Sequence, residues 1–110
     1  MLQAIVNNIV VDVAFTESEI YQGLSNRSYV GDRDGMLFIL KERVPFTMEN
    51  MKTPIDIIWL DKNHIVTAVL HDAQPGNVNY LPAVDFSYVL EIAPHSNVEV
   101  GNRIPFQIIG

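Results

Sequence analysis

Asp56 is a carboxylate set inside an apolar run, Ile55-Asp56-Ile57-Ile58-Trp59-Leu60. An unpaired polar group buried there costs on the order of 2–7 kcal/mol, so Asp56 must find partners. One reading is structural: the carboxylate accepts backbone N–H groups from the Asn50–Thr53 segment. The other is chemical: it lines a cleft and acts on a ligand, as perturbed carboxylates often do. The structural reading carries more weight, and the two can coexist. The residues that would share such a cleft are Arg27, Met48, Asn50 and Asn77. Arg27 is also expected as the buried ion-pair partner of Asp56, holding the helix to the sheet.

Other chemistries are poorly supported. Met48 and Met51 form a Met-x-x-Met pair with Met36 upstream, and thioethers suit Cu(I). Methionine is more often a core filler, and residues three apart on a strand face opposite sides. Only a turn near Asn50 would converge the two sulfurs, so no copper site is expected. His64, His71 and His95 have no spacing that sets two of them side by side, which disfavours zinc. Asp32-Arg33-Asp34-Gly35 lacks the spacing and closing glutamate of a calcium loop. There is no Gly-x-Ser-x-Gly elbow and no phosphate-cradling glycine pattern. Cysteine is absent, which removes disulfides and thiolate catalysis. No metal and no cofactor is expected, and no reaction is legible.

The bounds are those of one small domain. A chain of 110 residues with 48% apolar residues can bury a core without staples. The net charge of −6 argues against a phosphate-tracking surface, so no nucleic-acid partner is expected. No apolar run approaches the ~20 residues of a membrane span. Met1 leads into strand-like sequence without a basic n-region, so the chain is expected to be either cytoplasmic or a trimmed mature form.

The elements that must position these residues follow from pattern. Leu2–Val6 and Ile9–Phe15 read as strands joined by Asn7-Asn8, a pair that tolerates positive φ in a tight hairpin. Thr16-Glu17-Ser18-Glu19 is a capping box. It opens the one convincing helix, about Glu17 to Asn26, with Ile20 and Leu24 in its apolar stripe and Tyr21 beside them. Gly23 within it suggests close approach of another backbone, or the helix end. Met36–Leu40, Ile55–Leu60, His64–His71, Phe86–Ile92 and Ile104–Ile109 read as further strands. Asp61-Lys62-Asn63 is a hairpin turn, and Asp72–Pro82 reads as a long loop. These predict an α+β fold, mainly β: a curled antiparallel sheet or small barrel with one packed helix.

A set of motifs carries a resemblance. Gly23-Leu24, Arg27, Gly35-Met36-Leu37-Phe38, Phe46, Met48, Asn50 and Pro54-Ile55-Asp56-Ile57-Ile58 resemble the domain of unknown function 192 family, small prokaryotic proteins also met in phages. Tyr88-Val89-Leu90-Glu91-Ile92 with Val100-Gly101-Asn102-Arg103 is similar to that family's closing motif. The resemblance spans about Val11 to Phe106 and implies a fold and a cleft, with no established activity. The chain departs from the family pattern where Trp is usual (Thr47), Lys (Glu49), Thr (Met51), Arg (Ile20) and Met (Ser25). A basic, aromatic motif has become acidic.

The functional expectation is a small binding or accessory domain with a polar cleft near Phe46–Asp56. Two alternatives stand beside it: a small enzyme using Asp56 as acid or base near Arg27, and a phage or host protein-interaction module. The acidic substitutions disfavour polyanions. They leave a neutral polar small molecule, or an extended peptide added to a sheet edge, as the expected partner. Either would contact Asn50 or the Asp72–Pro82 loop.

Overall fold

A computed structural model describes residues 1–31 and 34–110. Asp32 and Arg33 of the rejected calcium-loop stretch lie outside them. The elements run β1 (Gln3–Val6), β2 (Ile9–Ala14), α1 (Glu17–Gln22), β3 (Gly35–Ile39), β4 (Phe46–Met48), β5 (Ile55–Leu60), β6 (Val66–Ala73), β7 (Gly76–Tyr80), β8 (Tyr88–Ile92) and β9 (Phe106–Ile108). Seven strands form one sheet in the order β6-β5-β8-β3-β2-β1-β9, and β4 pairs with β7 in a separate ribbon.

The first hairpin turns where asparagine permits it: Asn7 has φ 46° and Asn8 φ 69°. Helix α1 then carries the chain across, so β2 and β3 pair in parallel, Val13 opposite Leu37. This is the one departure from the antiparallel expectation among the ladders described, and the crossover helix is its cause. Every other ladder described is antiparallel.

Alternation along the central strands divides the core in two. Met36, Phe38, Ile55, Ile57, Trp59 and Val89 face one cluster, which α1 and the β4–β7 ribbon cover. Leu37, Ile58, Leu60 and Leu90 face the other, inside the curl, with Val6, Val11, Val13 and Ile104. Strand β5 is therefore buried on both faces. The small-barrel alternative is not reached, because β6 and β9 remain the edges of an open sheet. Those edges do approach each other. A single antiparallel bridge joins Ile65 to Arg103, and His64 stacks on Phe106 with centroids 4.2 Å apart.

The helix is shorter than expected and ends at Gln22. Gly23 caps it with φ 48°, a conformation that disfavours a side chain. A Cβ there would also meet the Phe38 ring at 3.3 Å, so the close neighbour is a side chain rather than a backbone. Leu24 is buried and Ile20 packs against the core, whereas Tyr21 is exposed. The capping box is complete. Glu19 N–H donates to Thr16 Oγ1 at 3.2 Å. Thr16 N–H donates back to Glu19 Oε1 at 3.1 Å. That backbone bond, with a second from Phe15, holds the Glu19 carboxyl below its ordinary range. A helix this short depends on its cap. Thr16→Ala should lower stability by about 1 kcal/mol in chemical denaturation; an unchanged midpoint would mean the cap contributes nothing.

Two segments that read as irregular in the sequence are strands. Phe46–Met48 and Gly76–Tyr80 pair as β4 and β7, Phe46 opposite Tyr80 and Thr47 opposite Asn79. Each is short, and β7 is polar, so neither shows a period on its own. Cross-strand pairing supplies what local pattern lacks.

Candidate functional site

The cavity of interest lies between α1 and the sheet face that α1 covers. It has a volume of about 670 Å³ and is lined by α1, the segment after it, the end of β3 and the Val44–Met51 stretch. Leu24, Phe38 and Phe46 are buried and form its inner wall; Phe15 and Tyr21 stand exposed at its mouth. Phe38 and Phe46 meet edge to face, centroids 5.0 Å apart and planes at 85°, so the inner wall is a corner of two rings. One hydrogen bond ties the two sides together: Asn26 N–H donates to the Asn50 carbonyl at 2.9 Å. Asn26 reaches it from φ 67°.

Glu91 sits at the bottom. It is on β8, opposite Met36 of β3 and Ile57 of β5. Alternation with Leu90, which faces the other cluster, turns Glu91 toward the cavity it lines. The residue is 4% exposed. Among the described residues no hydrogen bond or ion pair reaches its carboxyl. Burial pushes its pKa up to about 8, with no compensating partner. The close approach of β3 fixes the strand beneath it: a Cβ on Gly35 would lie 2.7 Å from the Glu91 carbonyl oxygen. The backbone here is tightly packed, while among the described residues no donor meets the carboxyl; Trp59 Nε1 in the same cluster is likewise buried without a partner.

A family model, DUF192 (Uncharacterized ACR), matches residues 2–106. The chain belongs to the DUF192 family. Two solved structures share its fold. One is a protein of unknown function from Novosphingobium aromaticivorans DSM 12444, with TM-score 0.83 and 25% identity, matched over 94% of this chain and 83% of that one. The other is described as a proposed transcription regulator from Sinorhizobium meliloti 1021, with TM-score 0.79 and 22% identity, over 97% of this chain and 91% of that one. No curated protein matches the chain closely enough to suggest a function. The five positions at which this chain departs from the DUF192 pattern expected above, Ile20, Ser25, Thr47, Glu49 and Met51, all line the cavity.

Of the five site residues expected from sequence, the cavity gathers one, Asn50. Arg27 pairs with Asp12 at 3.5 Å, so the expected Arg27–Asp56 pair does not form. The loop after the helix carries Arg27 back over β2 instead. Met48 is fully buried in the core beneath the ribbon. A turn does follow it, Met51 N–H to the Met48 carbonyl at 3.2 Å, and both side chains pack in the same cluster. Asn77 is exposed on β7 and does not line the cavity. The expected polar cleft at Phe46–Asp56 is thus a more apolar cavity, reached from the Phe46 end of that stretch only. Glu91 is the residue that sequence reasoning misses, although the signal that singles out Asp56 applies to it: a carboxylate inside an apolar strand.

Asp56 has a different setting. It is fully buried and accepts four hydrogen bonds: from His71 Nδ1 at 3.0 Å, Asp72 N–H at 2.8 Å, Ser96 N–H at 2.9 Å and the Ser96 hydroxyl. The ladder explains why. Ile57 faces Leu70 and Ile55 faces Ala73, so His71 and Asp72 bulge opposite Asp56. The carboxylate takes the Asp72 N–H that the bulge frees from the ladder. Ser96 comes from the segment after β8, so the same group pins two distant parts of the chain. The expected donors, Asn50–Thr53, are not the ones used. Burial pushes the Asp56 carboxyl upward, but the Ser96, Asp72 and His71 hydrogen bonds together outweigh it and hold its pKa below the ordinary 3.8. His71 moves the other way: its bond to Asp56 raises it above 6.5, against a smaller opposing effect of burial. Oδ2 accepts three of these bonds and Oδ1 one, and with the side chain fully buried the carboxylate is committed to holding these segments together. Among the described residues no group of three metal-ligating side chains assembles. No helix among them is long and apolar enough to cross a membrane.

Proposed function

We propose that this DUF192 domain binds a small molecule in the cavity between α1 and the sheet. The observation that carries this reading is Glu91: a carboxyl without a partner among the described residues, at the bottom of a cavity of ligand size. Protein interiors do not keep such groups for stability, because desolvation without compensation costs several kcal/mol. A bound molecule that completes the carboxyl is the compensation. The size falls in the 300–1,000 Å³ range typical of ligand sites, and an apolar wall with few polar groups is their usual make-up. Binding is favoured over catalysis because acid–base chemistry needs a second positioned group beside the first. Glu91 has none within hydrogen-bond reach among the described residues. The Asp56 cluster supports the frame rather than a reaction.

The test is resonance mapping with a panel of small apolar fragments bearing one polar group. Shifts should concentrate on Leu24, Phe38, Met51 and Glu91 and leave Asp56, His71 and Ser96 unmoved. A panel that perturbs none of those four residues would sink the reading.

A further inference from the structure

The chemical class of the ligand can be argued further, on the basis of the cavity reading above. We infer that the cavity selects an organic ammonium ion with an apolar body. Three independent features point the same way. The first is the unpartnered carboxyl of Glu91, the one charge-capable group at the depth of the cavity among the described residues. An ammonium group supplies both the countercharge and, where it carries N–H, the missing hydrogen bond.

The second is the aromatic lining. Phe38 and Phe46 meet edge to face on the inner wall of the cavity, and Phe15 and Tyr21 stand further out. Ring faces attract cations through their quadrupole and give no comparable preference to neutral polar groups. Corners of aromatic faces beside a carboxylate are the arrangement that recognises substituted ammonium groups.

The third is the rim. Glu17, Glu42 and Glu49 line the opening, and Lys41 is the one basic residue there among the described residues. The field at the entrance therefore draws cations and turns anions away. The sequence alone favours a neutral polar ligand, because nothing in it shows that Glu91 and the rings share a space. The fold brings them together and moves the choice to a cation.

2-Phenylethylamine and 2-phenylethanol provide the test, since they match in size and differ in charge at neutral pH. Both are titrated into the intact protein and followed by resonance mapping. The ammonium compound should bind about tenfold more tightly than the alcohol, at the cavity. Glu91→Gln should bring the two to within about threefold of each other. Glu49→Gln, at the exposed rim, should reduce the preference by a smaller factor. Equal or tighter binding of the alcohol to the wild-type chain, mapped to the cavity, would overturn the ammonium assignment and leave the cavity reading intact. The ammonium assignment is overturned equally if the amine fails to bind while other fragments occupy the cavity. If neither compound nor any fragment reaches the cavity, the cavity reading itself falls.

Discussion

Between pH 5 and 6.5 the ligand-free protein is expected to lose stability as the pH rises, and the Glu91→Gln variant to lose none. The sign comes from burial. Glu91 holds its proton to about pH 8 in the folded chain but releases it near 4.5 when unfolded. Between those values the unfolded state binds fewer protons than the folded one, so raising the pH favours unfolding. The slope has a ceiling of about 1.4 kcal/mol per pH unit. Glu91→Gln removes the titration without changing the shape. It should exceed the wild type at pH 8 by roughly 2 kcal/mol or more. The pH window matters. His71, whose folded value lies above 6.5, loses stability only as pH climbs past 6.5 toward that value. The depressed carboxylates Asp56 and Glu19 act below their ordinary values of 3.8 and 4.5. Urea denaturation at half-unit pH steps isolates Glu91 from all three. Parallel wild-type and variant curves between pH 5 and 6.5 would show that Glu91 ionises freely. An amine that fills the cavity should flatten the wild-type slope, since it makes the ionised form the stable one.

The second large effect concerns Asp56. Asp56→Asn should destabilise the fold by roughly 3 kcal/mol, the usual cost of breaking one partner of a buried charged cluster. The shape is conserved, so the loss is electrostatic. An amide NH₂ replaces an acceptor oxygen and must face donors: the Asp72 and Ser96 N–H groups, the Ser96 hydroxyl or His71. Its pH signature is the reverse of that of Glu91. The stability Asp56 contributes is present above pH 3.8 and is lost as pH falls through its lower folded value. His71 adds a charged contribution that fades as pH rises above 6.5 through its raised value. Matched thermal melts of wild type and Asp56→Asn at pH 6 decide the matter. Equal midpoints would mean that the four hydrogen bonds stabilise nothing.

Much of this fold is legible in the sequence, and the reasons are local. Asn7-Asn8, the Thr16–Glu19 box and the alternation through Ile55–Leu60 each state their geometry in a few residues. The β4–β7 ribbon is not legible, since Phe46-Thr47-Met48 and Gly76-Asn77-Val78-Asn79-Tyr80 become strands only by pairing across the chain. The site divides in the same way. A carboxylate in an apolar strand is visible by inspection, and Asp56 stands out on that ground. Its partners do not, because a bulge on β6 and a segment some forty residues on supply them. The Arg27 pairing fails for a related reason: which face of the sheet a loop returns to is a property of topology. Glu91 is visible by the same rule as Asp56. What pattern cannot say is that one carboxylate is met by donors and the other, among the described residues, by none.

The position of β8 has a kinetic consequence. It is the next-to-last strand along the chain, yet it lies between β5 and β3 in the sheet. Until it inserts, the β5–β6 hairpin and the β1–β2–β3 group have no ladder between them. A chain emerging from the ribosome therefore carries two half-sheets with open inner edges until Tyr88–Ile92 is made. Closing such distant pairings is slow, and unpaired edges are where nascent chains associate wrongly. The strand that closes the sheet also carries Glu91, so the last insertion drags a carboxyl out of water. Refolding is therefore expected to slow as the pH rises from 5 to 8, where the unfolded chain carries Glu91 ionised and the folded chain carries it protonated.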